Sequence, residues 1–552
     1  MVMLGIVGLF ASLVFVAAYG RTHLVLGATP PTTWLGLLLV PANGWRGICS
    51  VTAWAGMLTL AGCWFGVARL ALVGRVGLRP AAAIAGGWAI PFVVGPPLTS
   101  LDIYNFATQG RQLLSGTSPY TAPPDQLPAG AMLAAVDPRW RHVLSPYGPI
   151  GLRFEWLAAL FGRGDATATI IWLRVLAVVC TVAAVVLAVR LSRPHRRALT
   201  VVLLALNPLL LTTALSAGHL EAPMLALLLG AVLAERTRHP SLSIALALAA
   251  GLVKAPALLA VVFLVIEHAR DPGQHLSRAK TLLRDGAVLA VVGLAGTLSV
   301  PHGWGWTSTV LHTPATGRAL WTPSTVLAEL AAPVLSLAGV DLSFDRVLTI
   351  TRLIGLAAVA VLTAVQLRRR MKWEQRLGGC LVALAALGFV LYPWYLLWGV
   401  PLLVVGARRR TAFGLAVASA AFTAAYLWPE PQETMAAARA LLQALHLAGA
   451  VWSLAVLVSV AGGALALARY AYRHGVGPST PDLWPDDTRG FGQSPCQGEF
   501  GSEGAEGGNR TGQKLPPVGG DLLPKHATSS WKGDACACIT SGTSGGERNR
   551  QS

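Results

Sequence analysis

Long apolar runs alternate with short polar connections along most of the chain, near 4–20, 50–73, 79–98, 167–191, 198–217, 221–234, 241–253, 256–267, 286–300, 347–367, 378–393, 395–407, 411–428 and 448–469. A helix needs about 20 apolar residues to cross the hydrocarbon, and about 17 at the least. Counting the short runs, the pattern predicts an all-α polytopic membrane protein with a bundle of about 14 transmembrane helices. The first long polar interruption, 99–166, breaks this rhythm and opens with Asp102, directly after an apolar run ending at Leu98. Within it the run 149–162 is too short to cross and carries Arg153 and Glu155, which predicts an interfacial helix lying on the outer leaflet. The short runs 241–253 and 256–267 meet at Lys254-Ala255-Pro256, where proline breaks the helix and makes a hairpin that carries Lys254.

Basic residues decide the orientation. Arg190, Arg193, Arg196 and Arg197 lie between two runs, Arg368, Arg369, Arg370, Lys372 and Arg376 between another two, and Arg408, Arg409 and Arg410 between a third pair. Arg270, Arg278, Lys280 and Arg284 fill a fourth connection. Short loops rich in Lys and Arg stay in the cytoplasm. Alternation then places both termini in the cytoplasm of a plasma-membrane protein and the loops 99–166, 301–346 and 429–447 outside. The first run lacks a small-residue cleavage site and a basic residue before it, so it is expected to be retained rather than removed as a signal peptide.

Composition agrees with this reading. The 552 residues are 54% hydrophobic and 12% charged, with a mean hydropathy of +0.57. Soluble domains carry about 25% charged residues. The net charge of +18 does not point to nucleic acid, because the basic residues sit in short clusters at the ends of apolar runs. From about residue 475 the chain turns rich in Gly, Ser, Pro and acids, so 1–474 is expected to be the membrane domain and 475–552 a disordered cytoplasmic tail. Cys63, Cys180 and Cys380 fall in apolar runs, and the tail pair Cys536 and Cys538 has no second pair at zinc spacing. No metal-ligand set or cofactor motif is present in the sequence, though a divalent-metal requirement stays open.

The candidate chemistry gathers at the outer ends of the runs. In Leu-Asp-Ile-Tyr-Asn-Phe-Ala-Thr-Gln-Gly-Arg, helical spacing puts Asp102, Asn105 and Gln109 on one face, and Tyr104, Thr108 and Arg111 on the neighbouring one. A carboxylate at Asp102 can act as a general base, and Arg111 can grip a phosphate with two hydrogen bonds. The bland alternative is a helix-capping aspartate with a surface arginine. Ser118-Pro-Tyr-Thr and Ser145-Pro-Tyr147-Gly-Pro are rigid turns flanking Asp137-Pro-Arg-Trp-Arg-His, and they predict an ordered external loop over a site. Asn207-Pro-Leu precedes Gly218-His219-Leu-Glu221, a pair too small for a catalytic metal but able to meet a phosphate or support the base. Tyr392-Pro-Trp394-Tyr395 with Trp398 reads first as an interfacial aromatic belt, with stacking on a sugar ring as the alternative. Trp304, Trp306, His312, Arg318 and Trp321 are expected to form a second external loop.

Taken in order, Ser100-Leu-Asp-Ile-Tyr, Gln109-Gly-Arg111, Ser118-Pro-Tyr-Thr, Asp137-Pro-x-Trp140, Ser145-Pro-Tyr-Gly-Pro, Asn207-Pro-Leu, Gly218-His219, Lys254-Ala-Pro and Tyr392-Pro-Trp-Tyr395 resemble the actinobacterial α-1,6-mannosyltransferases that use polyprenyl-phosphate-mannose, in the GT-C glycosyltransferase superfamily. The resemblance covers about 100 to 400 and departs from the family's pattern at His219-Leu220-Glu221, where a His-Asn-Asp triplet is expected, and at Asn105-Phe106. It implies a GT-C-type bundle and an inverting transfer of mannose to a mannoside or lipoglycan acceptor of the cell envelope. It also implies Asp102 as the catalytic base, with Arg111, Tyr104, Gln109, Tyr147, His219, Glu221, Lys254, Trp394 and Tyr395 around the donor's phosphate and sugar. Two alternatives stay open: a lipid-linked sugar flippase, which would carry ionisable residues along mid-span positions, and a GT-C transferase of another sugar such as arabinose.

Overall fold

Helices make up almost all of the secondary structure, as hydrocarbon requires, because each backbone N–H and C=O there must bond within its own segment. The computed structural model describes residues 1–427, apart from 24–32, 35–37, 40–45, 128–130, 271–276, 313–321, 341 and 407. The expected span 448–469, the loop 429–447, Arg318, Trp321 and the tail 475–552 with its cysteines lie outside the described residues.

The chain runs through α1 (Val2–His23), α2 (Arg46–Leu72) and α3 (Leu78–Val94), then α4 (Asp102–Leu114), α5 (Ala131–Ala135) and α6 (Pro149–Phe161). Next come α7 (Ala166–Leu191), α8 (Arg197–Leu204), α9 (Glu221–Arg236), α10 (Pro240–Val253), α11 (Leu258–Arg270) and α12 (Arg278–Leu298). The described helices close with α13 (Gly305–His312), α14 (Pro323–Leu337), α15 (Phe344–Arg368), α16 (Trp373–Leu387), α17 (Val400–Gly406) and α18 (Arg409–Tyr426). A two-residue antiparallel pair, Thr33–Trp34 with Leu38–Leu39, is the extended exception among the described residues.

Five of these helices contain stretches long and apolar enough to cross a membrane: Val2–Gly20, Cys49–Leu72, Ala166–Leu191, Arg278–Leu298 and Phe344–Arg368. A sixth span is made if Leu210–Ser216 and Glu221–Arg236, bent by 104°, count as one. The chain is a membrane protein. The larger count of about 14 took shorter elements as spans, among them α3, α10 and the stretch Pro393–Gly406. The run 198–217 also fails to be one helix. It breaks at Asn207-Pro208, whose asparagine amide donates to the Ala416 carbonyl at 3.2 Å and to Ser419 Oγ at 3.1 Å. The chain then takes a π-helical turn over Leu210–Ser216, a form often found near functional sites.

The basic connections collect at one end of the bundle. At the end of α9, Arg236 donates to the Leu191 carbonyl that ends α7 and to Glu374 at the start of α16, both at 2.6 Å. His268 of α11 sits between Asp285 of α12 (2.7 Å) and Glu235 of α9 (3.0 Å). From there the 16 residues of α9 rise about 24 Å to the opposite end. Glu221 stands at that opposite end.

Candidate active site

Asp102 is the first residue of α4, and its backbone N–H is capped by Ser100 Oγ at 3.1 Å. The carboxylate is therefore not used as the helix cap. Its side chain is 16% exposed. Burial pushes its pKa up to about 6, against the pull of Lys254. The strand of chain that delivers it is fastened from behind: Arg174 of α7, itself buried, donates to the Phe92 and Gly95 carbonyls at the end of α3.

His219 lies beyond the π-helical turn, at the break before α9. Its ring is fully buried, stacked on Trp394 at 4.3 Å and edge-on to Phe106 of α4. Nδ1 lies 3.7 Å from Asp102 Oδ2 and 3.9 Å from Glu221 Oε2, and among the described residues neither ring nitrogen has a hydrogen-bond partner. Gly218 makes this turn with φ +65°; a Cβ there would meet Ile103 Cδ1 at 3.0 Å, so glycine is the residue that fits.

Lys254 enters from the hairpin between α10 and α11. Its backbone is extended (φ −149°, ψ 123°) between the end of α10 and a short turn over Ala255–Ala257, whose start suits Pro256. Nζ meets Glu221 Oε1 at 2.5 Å and is ringed by Tyr395 at 4.9 Å, Tyr147 at 5.5 Å and Trp398 at 5.9 Å. Trp398 Nε1 also donates to Glu221 Oε1, at 3.3 Å. A buried carboxylate–ammonium pair costs solvation, which close contact and further hydrogen bonds offset.

The Ser145-Pro-Tyr147-Gly-Pro turn is held against this hairpin. The Gly148 N–H donates to the Val253 carbonyl at 3.2 Å, and a Cβ on Gly148 would stand 2.1 Å from the Leu252 carbonyl oxygen. Only glycine allows so close an approach. Tyr120 donates to the Tyr147 carbonyl at 2.7 Å, Ser145 to Gln109 Oε1 at 2.8 Å, and Trp306 Nε1 to the Pro146 carbonyl at 3.1 Å. Both rigid turns and the start of α13 thus form one ordered cover, as the sequence predicts.

Comparisons with known proteins give the family. The family described as "Alpha-(1->6)-mannopyranosyltransferase, N-terminal domain" matches residues 2–270. The one described as "MptB C-terminal domain" matches residues 324–458. The chain belongs to the α-(1→6)-mannopyranosyltransferase family. Among its relatives is alpha-(1->6)-mannopyranosyltransferase A of Mycobacterium tuberculosis, 28% identical over 385 residues, covering 66% of this chain and 72% of that one. A second is the protein of the same name from Corynebacterium glutamicum, 25% identical over 349 residues, 58% of this chain and 71% of that one. A third is a probable alpha-(1->6)-mannopyranosyltransferase of Mycolicibacterium smegmatis, 29% identical over 376 residues, 60% and 66% of the two chains. No solved structure matches.

In this glycosyltransferase Asp102, Tyr147, His219, Glu221, Lys254, Trp394 and Tyr395 stand in one cluster. Three candidates stand elsewhere. Arg111 is exposed; nine residues of α4 carry it half a turn from Asp102, opposite rather than neighbouring, and about 13 Å along the axis. Tyr104 turns into the core, 2% exposed and beside Arg174. Gln109 is buried and holds the Ser145 hydroxyl.

Two other expectations change. Tyr392, Trp394 and Trp398 are buried rather than spread as an interfacial belt. Tyr392 stacks on Trp394 at 4.5 Å, with Tyr426 edge-on to both. And α6 is no surface helix, because it packs on α4 where Gly110 stands against the Glu155 carbonyl. Glu155 is fully buried with no hydrogen-bond partner among the described residues, and burial pushes its carboxyl well above the usual range. Among the described residues no three His, Cys, Asp or Glu side chains are arranged to hold a metal.

The sequence reading did not single out Arg139. It belongs to Asp137-Pro-Arg-Trp, and the structure sets it within electrostatic range of Asp102 and beside Tyr392.

Proposed function

We propose that the chain transfers mannose from a polyprenyl-phosphate donor to a mannoside acceptor, with inversion, on the outer face of the plasma membrane. The observation that carries this reading is the uncapped Asp102 carboxylate, partly exposed and 3.7 Å from His219. Family membership and the relatives' names supply the sugar and the α-(1→6) linkage. A lipid-linked donor explains why the reaction is run by a membrane protein, since the prenyl chain stays in hydrocarbon while the sugar phosphate reaches the helix ends.

In this mechanism Asp102 takes the proton from the acceptor hydroxyl. That oxygen forms a bond to the anomeric carbon, and the bond from this carbon to the phosphate oxygen breaks, its electron pair leaving with the phosphate. One base and one leaving group suffice, so no covalent intermediate is needed. His219, held by Trp394, faces the carboxylate and fixes the space beside it. Lys254, paired with Glu221 and ringed by aromatic side chains, holds the hairpin and the Tyr147 turn in place beside the base. The Tyr392–Trp394 stack walls the site from behind His219.

Membranes containing the wild-type chain should transfer labelled mannose from polyprenyl-phosphate-mannose to an oligomannoside. Asp102→Asn should lower the rate by about 100-fold or more while the protein is made at normal levels. Transfer by that variant at the wild-type rate would remove Asp102 as the base.

A further inference from the structure

Among the described residues two cations lie within electrostatic range of Asp102, Lys254 and Arg139. Lys254 is committed, with Glu221 at 2.5 Å and 12% of its side chain exposed. Arg139 is held differently. Asp137, 13% exposed, accepts from the Arg139 backbone N–H at 2.9 Å, from Nε at 3.1 Å and from Nη2 at 2.6 Å. The arginine side chain itself is 58% exposed. A guanidinium carries five N–H donors in a rigid plane. The Asp137 fork takes the Nε–Nη2 edge, so the Nη1 edge faces away from that carboxylate. The group also lies beside the Tyr392 hydroxyl, and Tyr392 stacks on the Trp394 ring that carries His219. So exposed an ion pair contributes little to folding. What it does is fix the aim of a cation beside Tyr392 and within electrostatic range of Asp102.

We infer that Arg139 grips the phosphate of the lipid-linked donor, the role that the sequence suggested for Arg111. The inference rests on the transfer reaction proposed above and adds a binding residue to it. As the sugar–phosphate bond breaks, a singly charged diester becomes a monoester with a second ionisation at about pH 6. Negative charge on the phosphate grows toward the transition state, and a pre-aimed guanidinium meets it with two parallel hydrogen bonds. Lys254, satisfied by Glu221, has less to offer.

The test compares full-length wild type, Arg139→Ala, Arg139→Lys and Asp137→Asn in nanodiscs. Initial rates are measured with polyprenyl-phosphate-mannose and octyl α-mannoside, and binding of farnesyl phosphate and of farnesol by tryptophan fluorescence. Arg139→Ala should raise the donor KM about tenfold or more, since a charge-assisted contact is lost, and leave the acceptor KM within about twofold. Arg139→Lys should recover part of the loss, and Asp137→Asn should fall between wild type and Arg139→Ala, because the guanidinium remains but is no longer aimed. An unchanged donor KM in Arg139→Ala, or a rise in the acceptor KM alone, would overturn the assignment. A wild type that transfers no mannose would instead sink the proposed reaction. Farnesyl phosphate then still decides Arg139: wild type should prefer it to farnesol and Arg139→Ala should not, and an undiminished preference in the variant would overturn the inference.

Discussion

At the residue scale, Asp102 combines two opposed demands. A base must be charged to accept a proton, yet burial makes charge costly, and the balance leaves its pKa at about 6 against an ordinary 3.8. Transfer should therefore rise with pH through about 6 and level off above, a profile that initial rates between pH 4.5 and 8 will show. Folding favours the protonated form, so the stability cost appears as pH climbs from 3.8 to about 6 and is complete above it. Asp102→Asn should then melt at or above wild type at pH 7 and lose that advantage near pH 4. Glu221 behaves oppositely. Its removal strands the buried Lys254 ammonium, so Glu221→Ala should destabilise by about 3–5 kcal/mol, visible as a lower thermal midpoint. Position in the chain made Asp102 and Lys254 legible, one after an apolar run and the other before a proline. Arg139 was hidden, because its aim comes from a turn around Pro138 and its aromatic neighbour, Tyr392, lies some 250 residues on.

At the scale of elements, two glycines set how closely the cover sits on the bundle. Gly110 lets α4 meet α6 at the Glu155 carbonyl, and Gly148 lets the Tyr147 turn meet the end of α10. Gly148→Ala should destabilise by about 1–3 kcal/mol through overpacking and slow transfer by moving Tyr147 from Lys254. Gly86→Ala in α3, where nothing lies within 4 Å of the new Cβ, is the matched control and should leave transfer unchanged. Thermal unfolding and initial rates read both. Motif order showed that the two rigid turns belong together, but not which backbone they press against. The face assignment on α4 also failed at this scale: Arg111 lies half a turn away from Asp102, so helical rotation separates residues that the motif sets side by side.

At the scale of the molecule, α7, α9 and α11 each run from the site to the end where the basic connections pair with Glu374, Glu235 and Glu267. This separation of cations from the site is what the outer-face proposal needs. In a chain with its tail cysteines replaced by serine, a cysteine at exposed His142 should react with an impermeant maleimide on intact cells. One at exposed Arg369 should react only after permeabilisation. The reverse pattern would put the site in the cytoplasm. Buried charge inside the bundle also has a structural use here: Arg174 of α7 closes the open carbonyls of α3.

The sequence alone determined the membrane class and the positions of most chain breaks. Hydropathy and proline act locally, each within a turn or two of helix. It also determined which polar residues fall at helix ends. Only the tertiary structure decided which of those ends meet. Asp102, the His219–Glu221 turn, Lys254 and Trp394 come from separate parts of the chain, and the contacts among them depend on helix rotation and on glycine-sized gaps between backbones. For the same reason the aromatic segment at 392–398 became an interior wall rather than a belt: its hydrophobicity suits both places, and packing against His219 and Lys254 chose between them.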